Sequence, residues 1–262
     1  MLEILFFPFK ALAVAFTLFC FFTTTFLIYP ILLINPAFGR KLVVHVSKFH
    51  AGIALYFLGV HHRFLGEKSL RHKHRPSLIV CNHQSYIDIL LIASRFPSLF
   101  VTSMQMKETP FLGHMSILSG CIFVERRDKS NLHNEVRELT ENLKKGINVL
   151  VFPEATCSNG EAILRFRRPL FQAAIDAQAP ILPLCLNYKK INGEKVTKTN
   201  KDKILWYGKM PFVSHAMRFL CLSKIEVDFN IMHPLQPSPE WEKGNLAETT
   251  QKMVEECFFP MT

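Results

Sequence analysis

Hydrophobic and polar positions follow two different patterns along this chain, and the change comes near residue 65. Before it, residues 11–39, ALAVAFTLFCFFTTTFLIYPILLINPAFG, hold no charged side chain, and a hydrocarbon layer needs roughly 20 apolar residues to be crossed. Pro30 interrupts the run, which predicts either a spanning helix ending near Tyr29 or a kinked segment that dips into the membrane and returns. Residues 46–66, VSKFHAGIALYFLGVHHRFLG, mix aromatic and aliphatic positions with Lys48, His50 and the His61-His62-Arg63 group, as a helix lying in an interface or packed on a core does. From about residue 76 short apolar runs alternate with helix-period segments. SLIVC (77–81), SLFVTSM (98–104), CIFVE (121–125), INVLVF (147–152) and PILPLCL (180–186) read as strands. Between the third and fourth, Ser130 as N-cap, Leu132, Val136, Leu139 and Leu143 at spacings of three and four, and the closing Lys144-Lys145-Gly146 predict a helix. The stretch LSKIEVDFNIMHPLQP adds a strand and LAETTQKMVEECF a last amphipathic helix.

This alternation predicts an α/β fold, a mostly parallel or mixed sheet flanked by helices, behind an N-terminal hydrophobic, membrane-associated helical segment. The expected division is 1–65 for the membrane-associated helices and 66–262 for a catalytic domain, with no linker or repeat to divide the latter. The apolar run is too long for a signal peptide and has no convincing cleavage site. Arg40, Lys41 and Lys48 beyond it, against Lys10 before it, predict a cytoplasmic catalytic domain. Seven scattered cysteines without a C-x-x-C pair fit a reducing compartment.

Composition narrows the partners. The 31 Lys and Arg against 21 Asp and Glu favour anionic ligands, and the adjoining apolar run points to lipid head groups rather than nucleic acid. The histidines at 61–62 and 72–74 lack zinc-ligand spacing, and H-E-x-x-H, G-x-G-x-x-G and the P-loop pattern do not occur.

One His-x₄-Asp pair, His83 and Asp88, lies where the first core strand gives way to a helix. Ligands of open α/β sheets bind beyond the carboxyl ends of the strands. Arg126 follows CIFVE, and Glu154 and Thr156 follow INVLVF, so three strand ends converge on one crevice. With the helix beginning near Gln84, Asp88 falls in its second turn and reaches back to one imidazole nitrogen. The carboxylate then fixes the tautomer and stabilises the imidazolium formed on proton uptake. No G-x-S-x-G nucleophile is present and Cys81 reads as a buried strand thiol, so the hydroxyl to be deprotonated is the substrate's, attacking an acyl carbonyl. Backbone N–H groups after Asn82 are the expected oxyanion donors.

NHQSYID (82–88), GCIFVER (120–126), VFPEATCSNG (151–160) and APILPLCL (179–186) resemble, in order and spacing, the four sequence blocks of the glycerolipid acyltransferases, particularly lysophosphatidate (1-acylglycerol-3-phosphate) acyltransferases. MKETPFLG (106–113) and WYGKMPF (206–212) are similar to further stretches of that family. The resemblance implies an O-acyltransferase of phospholipid biosynthesis that moves a fatty acyl group from acyl-CoA or acyl carrier protein to the free hydroxyl of 1-acylglycerol-3-phosphate, giving phosphatidate. It implies His83 as general base, Asp88 as its orienting carboxylate, Arg126 with Lys107 on the acceptor phosphate, and Glu154 and Thr156 holding the acceptor. Neither a cofactor nor a metal is implied beyond the acyl donor. Two alternatives stay open: another lyso-lipid acceptor, of lyso-ornithine lipid or lysophosphatidylcholine type, and a non-catalytic lipid-binding membrane protein. Ala155 stands where the family has Gly; if that position requires positive φ, alanine costs about 1 kcal/mol there or moves the loop. The basic run Arg165, Arg167 and Arg168 suits the phosphates of CoA or an acidic carrier protein.

Overall fold

The structure is a computed structural model that describes residues 2–66, 75–125 and 131–261. The first two helices, α1 (Leu2–Ile34) and α2 (Pro36–Leu58), form an antiparallel hairpin. Asn35 makes the turn: its side chain accepts from the N–H of Phe38 at 3.2 Å, and Pro36 starts α2 where a missing N–H costs nothing. Pro30 does not end α1, which runs on to Ile34. In the preceding turns Thr23, Thr24 and Thr25 return their hydroxyls to the carbonyls of Phe19, Cys20 and Phe21, so these polar atoms are satisfied within the helix itself.

The hairpin is fastened at both ends. At the turn, a Cβ on Gly39 would lie 2.5 Å from the Cα of Leu32, so only glycine lets the two backbones come this close. At the open end the Lys10 ammonium donates to the carbonyls of Leu58 and Leu222 at 3.0 and 2.5 Å, joining α1 to the last turn of α2 and to the segment after α8 (Phe212–Leu220). Arg40 at the start of α2 pairs with Glu138 at 2.8 Å and donates to Asn142, both on the helix α6 (Leu132–Lys144).

The helical region ends at Leu58, not at residue 65. Gly59, at φ 73, caps α2, and the next residues form strand β1 (Val60–Leu65). Val60 and Phe64 turn inward while His61, Arg63 and Leu65 are more exposed, the period-two pattern that separates this stretch from the helix before it. Strands β2 (Leu78–Cys81), β3 (Ser98–Ser103), β4 (Ile122–Val124), β5 (Asn148–Val151), β6 (Ile181–Ile191), the short β7 (Glu194–Lys195) and β8 (Ile225–Ile231) complete an eight-stranded sheet. Its order is β1-β8-β6-β2-β5-β3-β4, with β7 on β6. The run from β6 to β4 is parallel, β8 is antiparallel to β6, and β1 is parallel to β8, so the sheet is mixed.

Each strand expected from the sequence is present, and β6 extends five residues past Leu186. The helix expected from Ser130 is α6, with Asn131 as its cap residue; Ser130 lies outside the described residues. Two cores sandwich the sheet. One holds Leu55 and Leu58 of α2, Ile87, Leu91 and Ile92 of α3 (Ile87–Arg95), and Phe219 of α8. The other holds Leu139 and Leu143 of α6, Ala173 and Ala174 of α7 (Gln172–Ala177), and Leu246 and Val254 of α9 (Lys243–Cys257). A fully buried leucine is worth roughly 1.5–3 kcal/mol, so both faces contribute to holding the strand ends in place.

Gly39→Val is expected to force α1 away from α2, at a cost of about 2 kcal/mol, because the atom it would strike is backbone. A fall of about 5 °C in the thermal midpoint is the corresponding readout, and an unchanged midpoint contradicts the close-approach account.

Candidate active site

The centre of the site is one buried carboxylate. β2 ends at Cys81, and Asn82 continues the pairing with its side chain, donating to the carbonyl of Leu186 at 3.0 Å and accepting from the Leu186 N–H at 2.8 Å. The chain then turns, and α3 begins at Ile87 rather than near Gln84, so Asp88 sits in its first turn and not its second. From there Asp88 Oδ2 accepts the N–H groups of Gln84 at 2.6 Å and Ser85 at 2.8 Å and faces His83 Nδ1 at 2.9 Å. Asp88 Oδ1 accepts the Tyr188 hydroxyl at 2.6 Å. Asp88 is fully buried.

An ionised carboxylate only accepts, so the proton on His83 lies on Nδ1 and Nε2 is left as the basic nitrogen. The ring stacks on Phe152 with centroids 3.9 Å apart, and its side chain stays 15% exposed, which leaves one edge open. Burial pulls the His83 pKa down, but the Cys157 sulfur near the ring and the Asp88 carboxylate outweigh it and hold the imidazolium above the ordinary histidine value.

Glu154, just past β5, is buried, with one carboxylate oxygen on the His83 N–H at 2.7 Å and the other on the Leu164 N–H at 2.8 Å. Burial pushes its pKa up to about 7, against the lowering effect of those two N–H groups. Ser158 N–H donates to the His83 carbonyl at 2.7 Å, so the loop after β5 grips both sides of the His83 peptide. The backbone N–H groups of His83, Gln84 and Ser85, expected as oxyanion donors, are all engaged by Glu154 or Asp88. The arrangement can therefore take a proton at one histidine nitrogen while a fixed negative charge steadies the other.

Residues 62–187, which contain this geometry apart from Tyr188, match the acyltransferase family. That match takes in just under half of the chain. The chain is 32% identical over 154 residues to a 1-acyl-sn-glycerol-3-phosphate acyltransferase of Neisseria gonorrhoeae, covering 58% of this chain and 58% of that protein. It is 32% identical over 183 residues to a lyso-ornithine lipid O-acyltransferase of Rhizobium meliloti (strain 1021), covering 67% and 62%. The chain thus spans about three fifths of the length of these curated relatives. The crystal structure of the 1-acyl-sn-glycerophosphate acyltransferase PlsC from Thermotoga maritima superposes with a TM-score of 0.64 at 22% identity, over 98% of this chain and 93% of that one, which establishes the shared fold.

Two more of the expected residues lie among the described ones. Thr156 is exposed on the loop beside His83. Lys107 closes α4 (Met104–Lys107), and its ammonium lies 5.4 Å from the ring of Phe123 on β4. Gly113 allows that turn, since a Cβ there would meet the Lys107 carbonyl at 2.1 Å. β4 is three strands from β2, about 14 Å at ordinary strand spacing, so Lys107 belongs to the far end of the crevice. Arg126 lies outside the described residues.

Three contributors escaped the sequence reading. Tyr188 follows Leu182, Leu184 and Leu186 on one face of β6, a period-two signal that extending the strand past Leu186 would have exposed. Phe152 is the first residue past β5, and Cys157 lies on the loop that follows it. Ala155 does occupy positive φ, at 59°, the conformation that glycine adopts without strain. Ala155→Gly is expected to raise stability by up to about 1 kcal/mol, seen as a thermal midpoint higher by about 2–4 °C; a lower midpoint contradicts strain at this position.

Proposed function

We propose that this chain is a membrane-bound O-acyltransferase that moves a fatty acyl group from an acyl thioester, acyl-CoA or acyl carrier protein, to the free hydroxyl of 1-acylglycerol-3-phosphate, yielding phosphatidate. The observation that carries the reading is the His83–Asp88 pair, joined at 2.9 Å within an acyltransferase family domain. His83 Nε2 takes the proton of the acceptor hydroxyl as its oxygen attacks the thioester carbonyl. Asp88 stabilises the imidazolium, which then returns the proton to the departing thiolate. Glu154 positions the His83 backbone, Thr156 meets the acceptor, and Arg126 with Lys107 receives its phosphate, for which the guanidinium offers two parallel donors. No cofactor enters this scheme.

Residues Phe7–Ile34 of α1 are long and apolar enough to cross a membrane. Exposed Phe9, Phe16, Phe19 and Phe26 of α1 are joined by Phe49 and Tyr56 of α2 and by Val213 and Met217 of α8. This breadth favours association with lipid through the hairpin and the domain edge together, with the catalytic domain on the cytoplasmic side and lysophospholipid drawn from the bilayer. A second acceptor class, lyso-ornithine lipid, is favoured by the Rhizobium meliloti relative, which matches over a longer stretch at the same identity.

The test is turnover of acyl-CoA and acyl carrier protein thioesters in liposomes with each lyso-lipid. His83→Ala is expected to lower kcat by about a thousandfold, and unchanged turnover contradicts the reading. Arg126→Ala is expected to raise KM about tenfold or more for 1-acylglycerol-3-phosphate and to leave a phosphate-free acceptor unaffected. Transfer to lyso-ornithine lipid alone moves the substrate assignment to that class.

A further inference from the structure

Asp88 divides its contacts unevenly. Oδ2 has three partners from residues 83–85, all local in sequence. Oδ1 has one among the described residues, the hydroxyl of Tyr188, which reaches it at 2.6 Å from β6, one hundred residues away. Tyr188 is buried, with its ring in the core beside α3, so water does not replace the contact. The other titratable groups facing the pair are Cys81 at the end of β2, Tyr86 at the mouth of α3, and Glu154 and Cys157 on the loop after β5.

The two protonation states of the pair differ in net charge. With His83 neutral, a buried charge of −1 rests on Asp88; with His83 protonated, the pair is neutral overall. A donor on Oδ1 stabilises the carboxylate most when no imidazolium offsets its charge, and hence favours the state in which His83 is a free base. Cys157 and Asp88 act in the opposite sense, holding the proton on the ring. We propose that Tyr188 is a positioning residue of the reaction, whose hydroxyl, donated to Asp88 Oδ1, lowers the proton affinity of the His83–Asp88 pair so that His83 is free to act as base. This rests on the assignment of His83 as the general base.

The experiment uses the full chain in detergent, wild type and Tyr188→Phe. It reads the acid limb of kcat/KM against pH and, without turnover, the titration midpoint of the His83 imidazole by NMR on isotope-labelled histidine. Both are expected to move up by about one pH unit, a tenfold rise in proton affinity, whatever the height of the high-pH plateau of kcat. A role in packing alone would lower the plateau and leave the limb in place, and an unmoved or lowered midpoint overturns the proposal. Should Tyr188→Phe fail to fold, 3-fluorotyrosine at position 188 keeps the ring and is a stronger donor. The midpoint should then move down, and no movement overturns the proposal. A midpoint that moves in a protein transferring no acyl group counts against the general-base assignment and for the Tyr188 contact, whereas an unmoved midpoint with normal transfer counts against Tyr188 alone.

Discussion

A carboxylate sealed from water must be met on every side, and the requirement of Asp88 organises the α/β domain around it. Its oxygens gather two backbone N–H groups, an imidazole and a phenol, which together bind the turn after β2, the start of α3 and the outer half of β6. Removal of any one leaves the charge with one partner fewer, at a cost of about 1–3 kcal/mol. The same constraint delays the helix. Gln84 and Ser85 give their N–H groups to Asp88, so regular helical geometry begins only at Ile87.

Around that charge the sheet works as a ruler. β2, β5, β3 and β4 lie side by side in parallel, so the residues that follow each strand emerge along one edge at intervals of about 4.8 Å. The His83–Asp88 pair sits at one end of this row and the cation Lys107 at the other. Glu154 lies between, and its two hydrogen bonds to backbone show that a buried acid beside His83 can serve the scaffold.

Much of this was legible in the chain because it is written in local patterns. The strands showed as apolar runs, α6 as a three-four repeat, and His83 with Asp88 as a five-residue spacing that one turn can close. What escaped depended on contacts between distant segments. Tyr188 reaches Asp88 only because β6 lies beside β2, an adjacency that no local window contains. The start of α3 was placed three residues early because propensity carries no information about backbone N–H groups diverted to a side chain. β1 was absorbed into the preceding helical region because its apolar alternation is brief and its strand partner, β8, lies over 160 residues away. Ala155 shows the reverse case: a single residue type at a known motif position raised a backbone question that φ 59 answers.

The hairpin of α1 and α2 is held at its turn by the contact of Gly39 with Leu32, along its side by Arg40 on α6, and at its open end by Lys10. Two of these ties, Arg40 on α6 and Lys10 on the segment after α8, fasten the helix pair to the sheet domain. The apolar side chains the pair displays therefore keep a constant elevation relative to His83. Under the proposed function, such anchoring would turn depth into a selection rule: an acceptor would be recognised partly by how far its hydroxyl rides above the oily layer, before any of its atoms are touched.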